Sequence, residues 1–170
     1  LDPDTAGFAE LGQTWSVPVI TRIPGYRDAD GVPKAVLVFG AGYDTNKDAQ
    51  GVATPDTMGR GLFIVDAVTG SLVWSMTPAA DSPSNMQETG LLHSVAAGVT
   101  VFDSNGDELS DRIYFADTGG QLWRLDLPGN TLPDSNQDTW RVVKVAQVNG
   151  GTEATDRRFF NAPDVVRTAN

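Results

Sequence analysis

The sequence predicts an all-β fold: a partial, modified β-propeller of about two four-stranded blades with the start of a third. Three observations lead there. Short runs rich in Val, Ile, Leu and aromatics recur between clusters of Gly, Pro, Asp and Asn. Little in the chain reads with a helical period. And one turn-plus-strand motif occurs twice, Thr69-Gly70-Ser71-Leu72-Val73-Trp74 and Thr118-Gly119-Gly120-Gln121-Leu122-Trp123, at a separation of 49 residues.

The expected strands fall into two groups, 17–23, 35–39, 62–65 and 72–74, then 95–102, 112–115, 121–125 and 140–148. Residues 35–39 are a near-continuous apolar run, which marks a strand covered on both faces. Residues 121–125 alternate apolar and polar, which marks a strand covered on one. In each copy of the repeat an apolar strand leads into a tight turn. Glycine there supplies the positive φ, and the strand that follows brings a tryptophan to the core. A period near 50 with about four strands per unit fits propeller blades. Two unrelated hairpins sharing turn chemistry would look the same. The chain reads as a single domain over 1–170, with blades at about 13–78 and 93–148 and residues 159–170 opening the next. An open set of blades leaves unpaired strand edges, so a fragment of a larger ring is expected. Two loops, 43–60 and 77–92, exceed hairpin length and are either functional or mobile.

Composition limits the functions available. The 170 residues carry 22 acidic and 12 basic side chains, a formal net charge of −10, which argues against a nucleic-acid partner. Such charge suits hard cations, or simply solubility. There are no cysteines, so disulfides, thiolate metal sites and cysteine nucleophiles are excluded. No run approaches the ~20 apolar residues of a membrane span. The start, Leu1-Asp2-Pro3-Asp4, is not a signal peptide, so export would need a signal outside this sequence.

The most specific chemical feature is the loop Asp103-Ser104-Asn105-Gly106-Asp107-Glu108-Leu109-Ser110-Asp111. Oxygen donors stand at its first, third, fifth and ninth places, Asp103, Asn105, Asp107 and Asp111, with the Leu109 carbonyl available at the seventh. Calcium takes six to eight oxygens, and a loop with donors at alternate positions can wrap it. Without metal, three carboxylates crowd one turn and repel one another. The helix-flanked calcium hand has Gly at its sixth place and Glu at its twelfth. Here those places hold Glu108 and Tyr114, and the closing acid has moved to Asp111, which suits a strand-to-strand connection. A solvated acidic turn without metal is the rival reading. Asp44, Asn46 and Asp48 repeat the first three donors, but Val52 stands ninth and Lys47 opposes them, so a solvated loop is expected there. Asp28-Ala29-Asp30-Gly31 reads as a hairpin turn.

Catalytic constellations are hard to assemble. His93 is the only histidine, which rules out a two-histidine zinc site. No Gly-x-Ser-x-Gly elbow or phosphate-binding Gly-x-x-x-x-Gly-Lys loop is present. His93 is expected at a strand edge, satisfied by hydrogen bonds. Trp15, Trp74, Trp123 and Trp140 are expected as core anchors.

Segments 11–18, 38–44, 61–70 and 103–128 resemble the C-terminal propeller of PilY-type proteins, tip-associated biogenesis factors and adhesins of Gram-negative type IV pili. The run from Asp103 to Asp126 carries the most specific part of the resemblance. The family resemblance implies a modified propeller and a Ca2+ site on Asp103, Asn105, Asp107, Leu109 and Asp111. It also implies a non-enzymatic role in pilus extension and retraction, twitching motility and adhesion. Pilin or minor pilins, a host-cell surface ligand and the rest of the propeller would be partners, at an exported, cell-surface or pilus-tip location. The motif Asp66-x-x-Thr69-Gly70-x-x-x-Trp74 is also similar to the blades of quinone-dependent dehydrogenases, where it locks blades together; the second copy has Phe115 in register with Asp66. A dehydrogenase-like fragment, or a calcium-stabilised carbohydrate- or protein-binding propeller unrelated to pili, are the alternatives.

Overall fold

A computed structural model describes residues 1–49, 54–134 and 139–168. The first sheet has strands β1 (Val19–Arg27), β2 (Pro33–Gly40), β3 (Leu62–Asp66), β4 (Leu72–Thr77) and β5 (Asn85–Gln87), in that spatial order. The second has β6 (Thr100–Phe102), β7 (Arg112–Ala116), β8 (Gln121–Asp126) and β9 (Arg141–Gln147), again in order. All neighbours are antiparallel except β4 and β5. The all-β expectation holds. The first sheet, however, has five strands rather than four, because β5 forms inside the long 77–92 loop. Its Asn85 carboxamide explains why: Oδ1 accepts from Ser75 Oγ and Thr77 Oγ1, both at 2.9 Å, and Nδ2 donates to the Ala79 and Ala80 carbonyls. Satisfying a buried amide in this way fixes a segment that propensity alone leaves as loop.

The two sheets share one core. Val36, Val38, Leu62, Ile64, Trp74 and Met76 from the first meet Ile113, Phe115, Trp123 and Leu125 from the second. Trp74 and Trp140 touch edge to face with centroids 4.7 Å apart. The other face of the first sheet is covered by the N-terminal stretch, where Phe8 and Leu11 pack on Phe39 and Phe63. β2 and β3 are therefore buried on both faces, as the apolar run 35–39 predicts for β2. Trp15 departs from expectation. It lies ahead of β1, is 59% exposed, and stacks on Tyr43 at 4.6 Å instead of entering the core. Only residues 100–102 of the expected strand 95–102 pair as a strand; Val95, Ala96, Ala97 and Val99 are buried without one. Residues 160–166 form no strand either, and the Pro163 carbonyl instead accepts from Thr100 Oγ1.

The repeat is real but uneven. Asp66 N–H bonds the Ser71 carbonyl across a turn closed by Gly70, at φ +73°. Asp117 N–H bonds the Gln121 carbonyl across a turn closed by Gly120, also at φ +73°. Asp117 is thus the counterpart of Asp66, which corrects the register that places Phe115 there. The second turn is one residue shorter, and the Ile64/Val65 bulge in the β3–β4 pairing absorbs a further residue. Ungapped comparison hides both. The two aspartates work alike. Asp66 Oδ1 accepts from Val68 and Thr69 N–H, while Oδ2 accepts from Tyr26 hydroxyl at 2.6 Å and Lys34 Nζ at 2.5 Å. Asp117 Oδ1 accepts from Gly119 and Gln121 N–H, while Oδ2 accepts from Trp123 Nε1 at 2.9 Å.

Candidate functional site: the Asp103–Asp111 loop

The loop joins β6 to β7 and is held by its own side chains. Asp103 Oδ1 accepts from Gly106 N–H at 2.7 Å and Asn105 N–H at 3.2 Å; Oδ2 accepts from Glu108 N–H at 2.9 Å. Those donors lower the Asp103 pKa, the Gly106 N–H contributing most. Asn105 Oδ1 accepts from Asp107 N–H, and Asp107 Oδ1 from Leu109 N–H, each at 2.9 Å. Asp111 accepts from Ser104, from its N–H at 2.9 Å and its hydroxyl at 2.7 Å. Donors at alternate positions therefore form successive Asx turns that coil the backbone around the acidic side chains. Glu108 occupies φ +68°, the one positive-φ residue other than glycine among the described residues. The sixth place does ask for Gly, as the sequence argues, and Glu bears the strain.

The loop also touches the other sheet. Ser110 N–H donates to the Arg22 carbonyl at 2.8 Å, and Ser110 Oγ lies 2.7 Å from Thr21 Oγ1. Leu109 is buried, and Asp111 carbonyl accepts from Leu127 N–H at 2.8 Å. The C-terminal end of the loop is thus seated on β1 through Ser110 and on the exit of β8 through Asp111. Sequence reasoning missed Ser110 and Thr21, since a hydroxyl pair distant in the chain leaves no local pattern.

Asn105, Asp107 and Asp111 line one cavity of about 380 Å³, together with Arg112 and Asp126. Leu109 lines a second cavity together with Asp107 and Glu108. Among the described residues, no three acidic or histidine side chains converge as a metal centre. The donor set is nonetheless all oxygen, hard, and carries three carboxylates. A carboxylate has about four lone-pair positions, so one that accepts N–H bonds keeps room for a cation. The chemistry of the donors fits calcium, and each Asp111 oxygen accepts one Ser104 bond, which leaves lone pairs for an ion.

The Asp44 loop is built differently. Asp44 Oδ2 accepts from Thr57 N–H at 2.6 Å, Thr57 hydroxyl at 2.9 Å and Met58 N–H at 3.2 Å, and Oδ1 from Asn46 N–H. Asp48 accepts from the Tyr43 hydroxyl at 2.8 Å. Those two carboxylates tie Tyr43, Asn46, Thr57 and Met58 together. His93 is buried rather than at a strand edge.

With this geometry in view, the chain is an all-β protein of two packed sheets, with an acidic loop of the second sheet touching the first. The proteins it resembles are PilY1-type factors, as the sequence resemblance implies. It is 34% identical over 99 residues to the type IV pilus biogenesis factor PilY1 homolog of Xylella fastidiosa, covering 54% of this chain. It is 26% identical over 136 residues to the type IV pilus biogenesis factor PilY1 of Pseudomonas aeruginosa, covering 78% of this chain. The chain spans 6% and 10% of those relatives' lengths. The crystal structure of the Pseudomonas aeruginosa PilY1 C-terminal domain matches the fold with a TM-score of 0.60 at 20% identity, over 98% of this chain and 31% of that one. No family model matches the sequence. Among the described residues, no helix is long and apolar enough to cross a membrane.

Proposed function

We propose that this chain is a non-enzymatic, calcium-stabilised module of a type IV pilus-associated protein, two blades of a modified propeller. The observation that carries this reading is the match to PilY1 pilus biogenesis factors, over 54% and 78% of this chain, together with the fold of the PilY1 C-terminal domain. The blade reading draws further support from β1 and β6, the first strands of the two sheets, which lie in contact as the innermost strands of adjacent blades do.

Calcium would be held by Asp103, Asn105, Asp107, the Leu109 carbonyl and Asp111, and supplies the charge that offsets their mutual repulsion. The chain's own residues do the rest. Ser110 seats the loop on β1, and Asp111 ties it to the end of β8. Stiffening the loop therefore fixes one sheet against the other and sets the surface offered to pilin, minor pilins or a host ligand. In the exported parent protein, at the cell surface or pilus tip, that surface would serve pilus extension and retraction, twitching motility and adhesion.

Calorimetric titration with calcium tests the site. The reading expects one binding event, abolished by Asp107→Ala together with Asp111→Ala. Equal heats for wild type and double variant would remove the loop from consideration.

A further inference from the structure

A second polar centre lies away from the loop and is fully buried. Lys47, on the 3-10 turn Thr45–Asp48, has a side chain 3% exposed. Its Nζ lies 3.3 Å from Asp56 Oδ1 and 3.2 Å from His93 Nδ1, and it donates to the Thr54 carbonyl. The ammonium donates to the Thr54 carbonyl and His93 Nδ1, and pairs its charge with the Asp56 carboxylate. Asp56 Oδ2 accepts from Ser94 N–H at 2.6 Å and Thr118 Oγ1 at 3.1 Å. The Lys47 carbonyl accepts from Arg158 Nη1 at 2.9 Å. Four distant stretches meet here: 44–49 with 54–58, His93–Ser94, the Thr118–Gly120 turn, and the segment around Arg158.

The geometry constrains His93. To receive a hydrogen from Lys47, its Nδ1 must be an acceptor, so the ring is neutral with its proton on Nε2. Burial first, and the Lys47 charge second, hold its pKa below that of a free histidine. The ring packs directly on Gly119, where a side-chain carbon would overlap it. The charges that face it are Lys47 and Asp56 from the same loop, Lys144 from β9 and Asp156 from the C-terminal stretch; the lysines oppose its protonation and the aspartates favour it. A second cation 3.2 Å from Lys47, sharing one buried carboxylate, is strongly unfavourable where water is excluded.

We infer that His93 is a proton-operated latch: neutral, it receives Lys47 and holds the 44–49 and 54–58 stretches against Ser94 and the Thr118–Gly120 turn, and protonated, it expels Lys47 and frees them. Acidification would then loosen this face while the calcium-loop reading stands or falls separately. Because His93 is the sole histidine, its ring proton signal can be followed by NMR without assignment ambiguity. The latch expects one titration with a midpoint below 6.5. In the same window the amides of Ser94 and Thr57, bonded to Asp56 and Asp44, should lose exchange protection, by up to about tenfold per pH unit for a one-proton event. His93→Gln should make that protection independent of pH, if the variant folds; the wild-type titration decides the matter alone if it does not. A ring that titrates while both amides stay equally protected from pH 7.5 to 5 would overturn the proposal. So would a midpoint at or above 6.5, or no titration down to pH 4.5.

Discussion

Three residues carry most of what can be tested singly. Glu108 sits at φ +68°, where an L side chain costs about 1–2 kcal/mol relative to glycine, partly offset by the extra freedom glycine gives the unfolded chain. Glu108→Gly should therefore raise the unfolding free energy by roughly 1 kcal/mol in urea titrations; a lower value would mean that the Glu side chain makes a compensating contact. Asp117 is fully buried, and burial raises its pKa from 3.8 to about 6 against the pull of Trp123 and two backbone donors. The folded state thus binds a proton more tightly than the unfolded one. The group's contribution to stability is greatest below pH 4 and falls as pH rises towards 6. Measured against Asp117→Asn, which does not titrate, wild-type stability should decline over that window by on the order of 2 kcal/mol. An unchanged difference would show an Asp117 that ionises normally. Asp66 goes the other way: Lys34 and Tyr26 hold its carboxyl well below the usual range. The need for Gly at the sixth loop position was legible in the sequence, because turn chemistry is local. The burial of His93, and the role of Asp117 as partner to Asp66, were not, because both depend on gaps and contacts that no spacing rule contains.

At the scale of elements, the sequence carried the strands whose apolar pattern is continuous or strictly alternating, β2, β3, β7 and β8. It failed where a strand is made by one side chain rather than by pattern. β5 exists because Asn85 is satisfied on all sides, and nothing in 77–92 alternates. The tryptophans divide in the same way. Trp74 and Trp123 follow the repeated turns and are buried, and Trp140 meets Trp74 across the sheets. Trp74→Ala or Trp140→Ala should each cost about 3–5 kcal/mol, the range for deleting a buried large aromatic. Trp15→Ala should cost less than about 1 kcal/mol, since only its stacking on Tyr43 is lost. Thermal denaturation of the three variants orders them; a Trp15 variant as damaged as the others would contradict the exposed placement.

For the whole molecule, the central point is that one acidic loop spans two sheets. The successive Asx turns at Asp103, Asn105 and Asp107 follow from alternation, a property of adjacent residues. That Ser110 and Thr21 seat the loop on β1 was not legible in the sequence, since they lie 89 residues apart in the chain. A cation bound only by the folded loop stabilises the whole fold by mass action, about 2.7 kcal/mol at a hundredfold excess over its dissociation constant. Because the loop bridges the sheets, that stabilisation should reach both of them at once. The most direct measurement is thermal unfolding in saturating calcium and in chelator, for wild type and for Asp107→Ala with Asp111→Ala. The account expects a single cooperative transition several degrees higher in calcium for wild type, and no shift for the double variant. Identical transitions in calcium and chelator for the wild-type chain would contradict it.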